Sequence, residues 1–62
     1  MIINKDKLDL ALAMRKMTLK ELSKRSGISI LTLHKVNVRR DLRPKTVGKI
    51  ADALNVKVPE II

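Results

Sequence analysis

Apolar positions recur with helical spacing in four stretches of the chain. From Asp6 to about Lys16, Leu8, Ala11 and Leu12 fall on one face of a helix, and Ala and Leu are strong helix formers. In Met17-Thr18-Leu19-Lys20-Glu21-Leu22, Thr18 and Glu21 form a capping box, each side chain satisfying an orphan backbone N–H of the first turn. Met17 and Leu22 occupy the two positions that clasp a helix start hydrophobically. This spacing predicts a helix from Thr18 to about Arg25, stopped at Ser26-Gly27, where glycine takes the left-handed conformation.

Ile28-Ser29 opens the third stretch. Ser29 is a natural N-cap, Ile28 and Leu33 repeat the clasp, and Leu33 and Val36 point inward in a helix ending near Asn37. Val38 to Arg43 has no helical period and reads as a loop. Pro44 is tolerated in a first turn, and Val47, Ile50, Ala51 and Leu54 follow at i, i+3, i+4 and i+7, the spacing of a core-facing stripe. Gly48 weakens this helix, and Asn55 suits a left-handed stop. A last short helix is expected over Pro59-Glu60-Ile61-Ile62. The expected fold is all-α: one compact domain over residues 1–62, of four main helices plus a short terminal one.

Composition narrows the chemistry. Of 62 residues, 45% are hydrophobic and none is aromatic, so Leu, Ile, Val, Met and Ala must fill the core. A domain this short buries only ~60% of its unfolded surface, so that core must be used well. The absence of cysteine excludes disulfides and thiolate metal sites. One histidine and six scattered acids offer no metal cluster and no catalytic triad, and the two glycines make no phosphate loop. We expect no enzyme and no cofactor. No apolar run approaches ~18 residues, and residues 1–6 do not read as a secretory signal, so a cytoplasmic location is expected. Fourteen Lys+Arg against six Asp+Glu give +8, which favours a polyanionic partner: DNA, RNA or an anionic membrane surface. The membrane is the weakest of these, because there are no aromatic anchors. Between His34 and Lys49 lie six Lys/Arg and one Asp.

Two short helices around Gly27, Thr18–Arg25 and Ser29–Asn37, have the arrangement of a helix-turn-helix. The run Met17 to Val36 resembles the helix-turn-helix of the Cro/C1-type (lambda-repressor-like) family, with its polar cap, "x-x-E-L-A", "G-[VI]-S" turn and apolar residue four after the Ser. The segment Arg43 to Val56 resembles the family's next element, "P-x-x-x-x-x-x-I-A-x-A-L-x-V". The resemblance runs ungapped from about Leu8 to the end. It implies a sequence-specific regulator of transcription that binds double-stranded DNA, as a repressor by steric block or through recruitment. Ile30, Leu31 and Lys35 would hold the principal base-facing positions, with Thr32 and His34 beside them. Thr18, Lys20 and Ser29 would stand near phosphates at the helix starts, and Arg39, Arg40, Arg43 and Lys45 along the backbone.

The chain departs from the family pattern in two ways. Leu19, Ile30 and Leu31 are aliphatic where polar residues are common. Leu12 and Asn37 stand where the family often pairs an Arg with a Glu, and losing both together spares the fold a lone buried charge. Ile30 and Leu31 therefore admit three readings: contact with thymine methyls, a small protein-binding patch with Leu19, or partial burial in the core. Lys35 fits a guanine edge or a phosphate; Thr32 fits a base, a phosphate or its own helix backbone. His34 reads first as an ordinary exposed helix residue. The rival function is a protein-interaction module, or an antitoxin-type partner-binding protein, docking through Leu19, Ile30 and Leu31. Among Val56, Val58, Ile61 and Ile62 some must cover the core. Any of Val58, Ile61 and Ile62 left exposed would suit a homodimer contact, the usual way two half-sites are read.

Overall fold

Asn4 sets the start of the first helix, one residue earlier than the apolar spacing indicated. The structure, a computed structural model, describes residues 1–62. Helix α1 spans Lys5–Arg15, and the Asn4 side chain accepts a hydrogen bond from the Lys7 backbone N–H at 3.1 Å. Leu8 and Ala11 are buried, and Leu12 packs half-buried against the core. The opposite face is also apolar: Leu10 and Met14 remain exposed beside Val56. The helix stops at Lys16, whose left-handed backbone (φ 52°) shares its one N–H between the Ala13 and Leu12 carbonyls.

Helix α2 spans Leu19–Ser26, and both halves of the Thr18–Glu21 capping box are formed. Gly27 ends it at φ 73°, a conformation glycine adopts without the steric cost of a Cβ. Helix α3 spans only Ile30–His34, capped by the Ser29 side chain on the Thr32 N–H. Here the structure corrects the sequence reading. The expected helix does not run regularly to Asn37; Lys35–Val38 tightens into a 3-10 turn and stops at Arg39, left-handed at φ 54°. Val36, Asn37 and Val38 are all weak helix formers, which favours the tighter winding at this end. Helix α4 spans Pro44–Ala53 with proline in its first turn, and Val47, Ile50, Ala51 and the following Leu54 are all buried. The terminal helix expected over Pro59–Ile62 is a single 3-10 turn, Val58–Glu60.

The core consists of twelve buried residues, all hydrophobic, and no polar side chain is buried. Three of them lie outside the four helical stripes: Ile3, Leu42 and Ile61. Backbone hydrogen bonds explain their place. The Asn4 N–H donates to the Ile61 carbonyl at 2.8 Å, and the Leu42 N–H donates to the Met1 carbonyl at 2.7 Å. The first residues thus form an extended strap that ties the loop before α4 to the last turn. Ile61, a candidate for a dimer contact, is instead fully enclosed at 0% exposure. Arg15 makes a further tie: its Nε and one terminal nitrogen donate to the Leu54 and Asn55 carbonyls at 2.8 and 3.1 Å, satisfying acceptors just past the end of α4. No helix is long and apolar enough to cross a membrane.

Candidate nucleic-acid interface

The angle between α2 and α3 is held by a small serine network. Ser23 Oγ donates to the Ile28 carbonyl at 2.7 Å, while Ser26 Oγ accepts from the Ile28 N–H at 3.2 Å. Ile28 itself packs half-buried against the core. Both Ser23 and Ser26 escaped the sequence reading; the available signal was two hydroxyls within four residues of a turn glycine.

With Leu33 and Val36 buried, the remaining residues of this segment point outward. Leu31 is 75% exposed and Ile30 39%, so neither belongs to the core. His34 and Lys35 are exposed beside them, and Thr32 is half-buried. Ser29 Oγ accepts from the Thr32 N–H at 3.2 Å and donates to Thr32 Oγ1 at 2.9 Å. The Ser29 hydroxyl is therefore committed to the cap, and the Thr32 hydroxyl keeps its own proton for an outside acceptor. Thr18 is committed in the same way: its Oγ1 accepts from the Glu21 N–H and donates to the Glu21 carboxylate, both at 3.1 Å. Lys20, on the first turn of the same helix, is exposed.

Leu19 does not stand free with Ile30 and Leu31. It is half-buried against the core and lines a groove of about 250 Å³ between α1 and α3, together with Leu12, Leu33, His34 and Asn37. Leu12 and Asn37, the two positions where a charge pair is missing, thus share one groove, and Leu12 packs on the core there. On its rim Lys5 donates to Asp9 at 2.7 Å, and that bond and the Asp9 charge hold the lysine above its ordinary pKa.

The loop after α3 and its 3-10 turn carries the electrostatics. Arg39, Arg40, Arg43 and Lys45 are exposed, and none of their side chains is hydrogen-bonded or ion-paired within the protein. Asp41, the one acid among them, bonds the Met1 amino group, so its charge is already answered. The result is an uncompensated basic segment directly after the outward face of α3. Of the three dimer candidates, only Ile62 is exposed (39%), while Val58 is half-buried. No group of three or more His, Cys, Asp or Glu side chains is placed to hold a metal ion.

Residues 7–62 match the family model of the Cro/C1-type HTH DNA-binding domain. No curated protein and no solved structure matches the chain.

Proposed function

Since the chain belongs to the Cro/C1-type HTH family of DNA-binding domains, we propose that it is a sequence-specific regulator of transcription, acting as a repressor and not as an enzyme. One observation carries this reading: the outward face of α3 is followed immediately by unpaired arginines. The N-terminal part of α3 enters the major groove, and Arg39, Arg40, Arg43 and Lys45 bind the flanking phosphates. Lys20 adds a phosphate contact from α2. Such a protein works where DNA is accessible to it, and a cytoplasmic location fits that role.

Base reading is assigned to Ile30, Leu31, Thr32, His34 and Lys35. The exposed aliphatic pair suits thymine C5-methyl groups, Lys35 suits guanine O6 and N7, and the free Thr32 hydroxyl donates to a base or phosphate. Ser29 and Thr18 hydroxyls hold the helix starts and contribute there through the backbone they order. A docking face for another protein would need Leu19 exposed with Ile30 and Leu31; Leu19 packs on the core instead. Two copies on an inverted repeat would double the readout.

Selection from a random duplex library at physiological salt tests the function. Enrichment of one short motif, bound about a thousandfold or more tighter than random DNA, is the expected result. Binding that is weak, salt-sensitive and blind to sequence would overturn it. Ile30→Ala should cost about 1 kcal/mol of specific affinity and relax the preference at one T position. An unchanged motif and affinity would remove Ile30 from the reading face.

A further inference from the structure

Residues Met1 to Asn4 precede the stretch that matches the family, residues 7–62, yet they are built into the fold at both ends. Ile3 is buried among the core residues, and the Asn4 N–H is bonded to the Ile61 carbonyl. At the other end of this strap, Met1 and Leu42 exchange two bonds, as facing residues of antiparallel strands do. The Leu42 N–H donates to the Met1 carbonyl and the Met1 nitrogen donates to the Leu42 carbonyl, both at 2.7 Å. Leu42 is itself a core residue. Ile2 and Ile3 also line one hollow with Val36 and Arg39, so the strap runs beside the start of the loop as well.

The loop has little else to hold it. Its start is fixed where the Arg39 and Arg40 N–H groups bond the Val36 and Lys35 carbonyls, and its end where the Arg43 carbonyl accepts from the Val47 N–H as α4 begins. Between Arg40 and Pro44 the Leu42 N–H alone has a backbone partner, and that partner is Met1. Arg40 and Arg43 stand on either side of Leu42 in the chain, exposed and unpaired. With Arg39 and Lys45 they place four cations within seven residues, and their mutual repulsion favours a splayed loop.

We propose that the strap is a positioning element for DNA binding: Ile3 anchors it, Met1 grips Leu42, and Leu42 holds Arg40 and Arg43 ready for phosphates. The proposal rests on the DNA-binding reading above. An untied loop would lose its conformational freedom at the moment of binding. The strap shifts that cost to folding, and the arginines meet the duplex preorganised. Phosphates carry no sequence, so the strap acts on affinity for every duplex and leaves the motif read by α3 unchanged. Linkage makes the effect reciprocal: DNA that holds the arginines tightens the strap.

The test is a double-mutant cycle in the full chain, with affinity measured per folded molecule for the selected motif and for a random duplex. Ile3→Ala loosens the buried anchor, Ile2→Gly frees the strap at an exposed position, and Ile3→Val is the conservative control. Ile3→Ala should weaken binding to both duplexes about tenfold and Ile2→Gly about threefold, while Ile3→Val keeps nearly all of it. In Ile3→Ala the slope of log affinity against log salt should fall by up to about two, the share of two phosphate contacts. Exchange of the Leu42 amide with solvent should quicken in both loosened variants, and slow when the unaltered protein binds DNA. In a chain already carrying Arg40→Ala and Arg43→Ala, neither loosening change should weaken binding further. An equal loss in that background makes the strap a support of the fold alone and overturns the proposal. Unchanged affinity, or unchanged Leu42 exchange, in both loosened variants overturns it too. Should Ile3→Ala fail to fold, Ile2→Gly carries the same comparisons. An unaltered chain that binds neither duplex overturns the regulator reading, and the positioning role with it.

Discussion

Arg15 shows how much one side chain contributes away from the reading face. It lies at the end of α1, yet its guanidinium bonds the two carbonyls that follow α4, joining elements about forty residues apart in sequence. Arg15→Ala leaves those carbonyls to water and removes the tie. The expected loss is about 1 kcal/mol, at the low end for a charged hydrogen bond because the side chain is largely exposed. Thermal unfolding should show a Tm lower by about 4–8 °C, with DNA affinity per folded molecule unchanged. Arg39 presents the opposite case. Its left-handed backbone is strained for a residue with a Cβ, and glycine there would relieve the strain while removing the phosphate contact proposed for the side chain. Arg39→Gly should therefore raise the unfolding free energy by about 0.5–1 kcal/mol while weakening DNA binding. A drop in both measurements would show that the side chain also supports the fold.

At the scale of elements, α4 is the helix with room for improvement. Gly48 lies inside it, and a Cβ built there meets nothing within 4 Å. Gly48→Ala should stabilise the protein by about 1 kcal/mol, read as a higher urea midpoint at unchanged slope. The same elements show what was legible in the residues. Thr18 with Glu21, Ser29, Gly27 and Pro44 are caps, and caps act through neighbours three or four residues away, so α2, the start of α3 and α4 are where their sequences put them. The buried stripe from Val47 to Leu54 was equally plain, because helical periodicity is local. Ile3, Leu42 and Ile61 were not legible: their burial comes from backbone bonds between residues about forty to sixty positions apart, which no local period records. The 3-10 turn after His34 was missed because β-branched residues lower helix propensity by only tenths of a kcal/mol, too little to read without knowing that Val36 must be buried. At the interface, the outward residues of α3 follow from that same inward pattern, whereas the commitment of the Ser29 and Thr18 hydroxyls depends on the bonds themselves.

For the whole molecule, charge is the governing quantity. Among fourteen Lys and Arg side chains, only Lys5 forms an ion pair with a carboxylate. Apart from Arg15 and Lys7, which donate to backbone carbonyls, the rest are free to meet a polyanion, and affinity for DNA should fall steeply as salt rises. Arg40→Ala and Arg43→Ala should each weaken binding to every duplex sequence alike and reduce the slope of log affinity against log salt by about one. A loss confined to the selected motif would instead make that arginine a reader of bases.

The strap formed by the first residues has a consequence for how the protein comes into being. Asn4 is joined to Ile61, and Ile3 and Ile61 both belong to the core. The earliest-made part of the domain thus has to wait on the ribosome for nearly the last. Until residue 61 clears the exit tunnel the core lacks one wall, so the domain closes only after nearly all of it has been made. A nascent chain arrested short of that point displays the whole helix-turn-helix segment without the framework that aims it.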